Sequence, residues 1–138
     1  MEPKTIFMHV ALSVRDIEES IAWYNDIFGL KTFMNSSIPH NGALMAFVGN
    51  ENFRIELFQW PDFKPLPEGR SHPDTDNATL GCKHFCVAVD NAAEFVKGLR
   101  ARGVNVVFEP AGMPSYCAFI LDPTGNIIEV FDKADHKE

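Results

Sequence analysis

Two short stretches of this chain, Ile55-Glu56-Leu57-Phe58 and Ile128-Glu129-Val130-Phe131, are near copies of each other. Each places a glutamate inside a run that otherwise reads as a buried β-strand. An unpaired carboxylate there is costly, so a partner is expected for both. The likeness extends outwards in order. A first strand bearing His9 matches a later one bearing His84, offset by 75 residues, while Glu56 and Glu129 are offset by 73. Each half also carries an Asp cap, a helix, a stopping glycine and a final hairpin. One such match is chance; an ordered series marks an internal repeat.

Taken in order, residues 6–14 predict the first strand, with His9, Ala11 and Ser13 on one face and larger apolar residues on the other. Asp16, with Glu19 three residues on, suits a capping box for a helix reaching about Phe28, where Gly29 stops it. Strands are expected over 30–38, 43–48 and 52–60, with Pro39-His40-Asn41-Gly42 as a hairpin turn. The second half reads as a strand over 82–89, a helix from Asn91 to about Arg102 capped by Asp90 and stopped by Gly103, and a strand over 104–109. A last hairpin follows, 115–121 and 126–131, with the turn signal Asp122-Pro123-Thr124 inside it. Each half is therefore β-α-β-β-β. Residues 61–81 hold prolines 61, 65, 67 and 73 and little pattern, and read as a linker, either a plain crossover or a lid over a pocket. The 138 residues read as a single domain: module one about 5–60, the linker, and module two 82–132.

Composition narrows the partners. The net charge is −7 with no basic block, which argues against nucleic acid and against an anionic membrane surface. No apolar run approaches the roughly 20 residues of a membrane span, and the first residues lack the features of a signal peptide. The three cysteines, 82, 86 and 117, form no CxxC; Cys82 and Cys86 lie about 13 Å apart along a strand, too far for a disulfide. A cytoplasmic protein acting on a small molecule is expected.

Strand periodicity sets the chemistry. His9 and His84 lie on faces of small residues, and Glu56 shares its face with Arg54, Phe58 and Trp60. If each sheet curls and the halves pair by pseudo-twofold symmetry, His9, Glu56, His84 and Glu129 converge in one trough. Two imidazoles and two carboxylates form an N2O2 set suited to a first-row divalent ion with positions left for water or substrate. Arg54 is expected either in a structural ion pair or against an anionic substrate group. Phe58, Trp60, Phe119 and Phe131 are candidate walls, and Cys117 shares Glu129's side of the hairpin without an assigned role. His40, His72 and His136, in turn, linker and tail, read as surface residues without partners.

The repeat, the four residues at those strand positions, and Asp122-Pro123-Thr124-Gly125-Asn126 before the last strand resemble the vicinal oxygen chelate superfamily, over residues 5–132. That superfamily includes glyoxalase I, methylmalonyl-CoA epimerase, extradiol dioxygenases and resistance proteins. The resemblance implies an α+β fold of two tandem βαβββ modules forming a curved-sheet metal-binding trough. The His/Glu/His/Glu set is similar to that of glyoxalase I. It implies a lyase or isomerase of the lactoylglutathione lyase type, using Ni, Co, Zn, Mn or Fe. Such an enzyme acts on a small α-hydroxy- or α-keto-carbonyl compound through an enediolate, with Glu129 as base and Glu56 as its mirror. A homodimer is implied, the site lying within one chain or across two. Two other readings stay open: an Fe or Mn dioxygenase or thiol transferase, and a non-catalytic ligand-binding module.

Overall fold

The structure, a computed structural model, describes residues 1–38 and 41–135. The chain divides into two compact units, the first Met1–Lys64 and the second beginning at Pro65.

The first unit follows the repeat. β1 (His9–Ser13) leads to α1 (Ile17–Phe28), then β2 (Lys31–Ser37), β3 (Leu44–Gly49) and β4 (Arg54–Gln59). The four strands form one sheet in the order β1-β4-β3-β2, with β1 parallel to β4 and the other pairs antiparallel. Asp16 caps α1 by accepting from the Glu19 N–H at 3.0 Å, and Gly29 ends it in the left-handed region at φ 65°. The helix buries Ile17, Ile21, Tyr24 and Ile27, while Ala46, Val48, Ile55 and Leu57 of β3 and β4 are fully buried. The opposite face of the sheet is left for His9, Arg54 and Glu56.

β1 is shorter than expected. Ile6, Phe7 and Met8 lie outside it and are exposed, because the ladder with β4 starts at the His9–Arg54 pair. Of the expected hairpin turn, Pro39 and His40 lie outside the described residues; Gly42 takes a positive φ of 71° and its N–H reaches Ile38 O.

The second unit repeats the plan: β5 (Phe85–Val89), α3 (Ala92–Ala101), β6 (Val106–Phe108), β7 (Cys117–Leu121) and β8 (Ile127–Asp132), ordered β5-β8-β7-β6 with β5 parallel to β8. Ala92, Val96 and Leu99 of α3 are buried, as are Ala118, Ile120, Ile128 and Val130 of the sheet. The other face buries Cys117, Phe119 and Ile127, with Phe108 and Phe131 packed against them. Asp90 does not cap α3. Asn91 does, its side chain accepting from Glu94 N while Asp132 Oδ2 takes the Ala92 N–H at 2.8 Å. His84 and Lys83 precede β5 rather than lying in it.

The turn before β8 explains its sequence. Buried Asp122 accepts from the N–H groups of Thr124, Gly125 and Asn126 at 2.8–2.9 Å and from the Asn126 side chain at 2.9 Å. Gly125 has φ 104°, a conformation that favours glycine, and a Cβ there would press on Leu66 Cδ1 at 3.0 Å.

The linker is not patternless. It contains a short helix, α2 (Pro73–Asp76), which starts on His72. Asp76 is 2% exposed, and its Oδ1 meets Arg70 Nε at 3.2 Å and Lys83 Nζ at 3.4 Å. The lysine also donates to the carbonyls of Asp76 and Thr79. One buried carboxylate thus ties the linker to the segment entering β5.

Candidate metal centre

In the first unit, β1 and β4 set His9 beside Glu56. Their register pairs Ala11 with Glu56 and His9 with Arg54, so the imidazole reaches diagonally across one strand gap. His9 Nε2 lies 2.8 Å from Glu56 Oε2. Phe47, opposite Glu56 on β3, puts its ring edge-on to His9 at 5.3 Å and 79°.

The second unit builds the same trio. His84 Nε2 lies 3.1 Å from Glu129 Oε2, and Phe119, opposite Glu129 on β7, meets His84 edge-on at 5.1 Å and 87°. The expected partner of each strand glutamate is therefore a histidine of its own module. All four side chains are part-buried, between 15% and 31% exposed. In both rings Nδ1 is buried without a hydrogen-bond partner among the described residues, so Nε2 is the nitrogen presented to the carboxylate.

The pairs fit a divalent ion. Adjacent ligands on a six-coordinate metal with bonds of about 2.1 Å are separated by about 3 Å. The observed N···O distances of 2.8 and 3.1 Å bracket that value. Imidazole nitrogen with carboxylate oxygen suits first-row divalent ions. The structure brings the four residues together as two pairs; among the described residues no group of three or more His, Cys, Asp or Glu is assembled to hold a metal.

Two thiols flank Glu129. Cys86 is its register partner on β5, and burial, the Glu129 charge and Cys117, in that order, push the Cys86 thiol up to about 12. Cys117 is likewise raised, first by burial, then by the charge of Glu129 and a hydrogen bond to it. Both therefore stay protonated at neutral pH.

Other expectations met different fates. Phe58 lies on the same sheet face as Glu56, and Phe119 and Phe131 line the second face. Trp60 lies beyond β4, 45% exposed, beside a separate cavity with Ser13 and Phe63. Arg54 makes no ion pair among the described residues; its guanidinium stacks 4.6 Å from the Phe33 ring. His72 is not a partnerless surface residue: its Nδ1 accepts from Asp74 N at 3.1 Å and its ring packs 5.1 Å from Phe108. His40 and His136 lie outside the described residues. Phe47 escaped the sequence reading, although it occupies the place in the first repeat that Phe119 holds in the second.

Comparison with known proteins agrees with this architecture. The family model described as "Glyoxalase/Bleomycin resistance protein/Dioxygenase superfamily" matches residues 6–130, and the chain belongs to that superfamily. A lactoylglutathione lyase of Salmonella typhimurium is 34% identical, over 93% of this chain and 93% of its own length. Lactoylglutathione lyase GLX1 of Arabidopsis thaliana is 30% identical over 96% of this chain, which spans only 46% of that relative. A similar plant protein from Brassica oleracea is spanned to 47%, so the chain covers about half the length of these two curated relatives. A glyoxalase family protein of Enterococcus faecalis shares the fold, with a TM-score of 0.73 at 18% identity, covering 90% of this chain and 94% of that one. Among the described residues no helix is long and apolar enough to cross a membrane.

Proposed function

We propose that this chain is a metal-dependent lyase or isomerase of the glyoxalase type, acting on a small α-hydroxy- or α-keto-carbonyl compound. The observation that carries the reading is the duplicated His–Glu pair, His9–Glu56 and His84–Glu129, each with the N···O spacing of adjacent metal ligands. The lactoylglutathione lyase names of the relatives support it.

In this reading the two pairs together hold one divalent ion, Ni, Co, Zn, Mn or Fe. Bound there, the ion supplies Lewis-acid polarisation of the substrate's oxygens. The protein's own residues do the rest. His9 and His84 bind through Nε2, the nitrogen their packing presents. Phe47 and Phe119 fix the imidazole planes and exclude water on one side. Glu129 takes the proton from the carbon beside the carbonyl and returns it to the neighbouring carbon, and Glu56 is its mirror. The protonated thiols beside Glu129 keep its surroundings free of further negative charge.

The test is metal content by mass spectrometry, for wild type and for His9→Ala/Glu129→Ala. About one divalent ion per pair of His–Glu units, lost in the variant, is expected. Wild-type protein that takes up no metal after reconstitution removes the mechanism and leaves a ligand-binding module.

A further inference from the structure

The first unit contains an open cavity of about 740 Å³ that the metal reading does not use. Its walls include Phe7, Met8 and Phe33, and its charges are the cations Lys31 and Arg54 and one carboxylate, Glu51. On a chain of net charge −7, a hollow whose lining sums to +1 stands apart. Arg54 and Lys31 have no ion-pair partner among the described residues. The Arg54 guanidinium carbon lies over the Phe33 ring, 4.6 Å from its centroid, and with five N–H donors the group has donors left to meet an acceptor. Gly49 makes room for the arginine stem: a Cβ there would lie 2.9 Å from Arg54 Cγ and 2.5 Å from the Phe53 carbonyl oxygen.

The geometry points to this cavity as the binding site for the carboxylate end of a small ligand with an apolar body. Arg54 takes the carboxylate bidentately, Lys31 adds charge, and Phe7, Met8 and Phe33 cover the apolar part. A lining charge of +1 suits a monoanion better than a phosphate. The position also sets the ligand's length. Arg54 pairs with His9 in register and shares a sheet face with Glu56 two residues on, about 6–7 Å along the strand. If the proposed function is right, the substrate bears its carboxylate a few bonds from its reacting oxygens. Only that last step rests on the metal-enzyme reading.

Binding to metal-free protein separates the two ideas. Isothermal calorimetry with 4-phenylbutyrate, its neutral amide and phenyl phosphate is compared for wild type, Arg54→Lys and Arg54→Met. Arg54 is exposed, so unchanged thermal melting of the variants is the control for folding. The carboxylate should bind wild type at least about tenfold more tightly than the amide, lose about tenfold in Arg54→Met, and recover in part in Arg54→Lys. Equal binding of carboxylate and amide, or of wild type and Arg54→Met, overturns the site. Tighter binding of phenyl phosphate overturns the monoanion assignment. None of these outcomes depends on turnover, so a protein that binds 4-phenylbutyrate and yet takes up no metal keeps the cavity and loses only the enzyme.

Discussion

At the scale of single residues, two carboxylates carry opposite kinds of information. Glu129 sits part-buried between His84 and two protonated thiols, and the proposed mechanism has it exchange a proton. In that mechanism Glu129→Gln keeps an oxygen ligand and removes the base. Turnover should fall roughly 10²–10⁴-fold while metal content drops far less; a variant that keeps wild-type kcat removes Glu129 from the base role. Asp132 shows a structural carboxylate. Its oxygens accept the N–H groups of Ala134 and Ala92, which hold its carboxyl below the ordinary aspartate range. A depressed folded-state pKa stabilises the native state fully above the unfolded value of about 3.9, and that stabilisation is lost as pH falls through the folded value. Asp132→Asn should therefore lower the urea midpoint at pH 7, and the gap to wild type should close as the pH falls below the ordinary aspartate range and through the depressed folded-state value. A gap that stays constant across that range contradicts the linkage.

At the scale of elements, what matters is how a strand end or linker is held. Helix and turn ends were legible because their chemistry is local. Asp16, Gly29 and Gly103 act where the sequence placed them, and Asp122 organises its turn through neighbours within four residues. Asp90 and Asn91 show the limit: two adjacent capping residues compete, and Asp132 from a distant strand, bonding Ala92 N, helps decide between them. The linker was illegible because its organiser is a long-range one. Asp76 gathers Arg70 and Lys83, and no periodicity announces that. Asp76→Ala removes the buried acceptor of two part-exposed cations and should cost about 1–2 kcal/mol in denaturant unfolding. A change within 0.5 kcal/mol would mean that the linker is not tied down through this carboxylate.

At the scale of the whole molecule, each unit supplies one His–Glu pair, and the proposed ion needs two. With a homodimer that shares its sites, mixing His9→Ala/Glu56→Ala protein with His84→Ala/Glu129→Ala protein, after unfolding and refolding together, should restore metal binding to one of two sites. Neither variant should bind metal alone. Mixing without any recovery argues that both pairs come from one chain. What the sequence by itself determined is the duplicated β-α-β-β-β plan, the Asp16 cap and the stopping glycines, and the four residues of the two pairs, since repetition, strand alternation and local end signals are written in spacing alone. Tertiary structure decided the rest. It set where β1 and β5 begin, because a strand starts only where its neighbour offers a ladder. It brought Phe47 against His9 and, among the described residues, left Arg54 without a carboxylate, because contacts across strands depend on register, which a linear pattern does not contain.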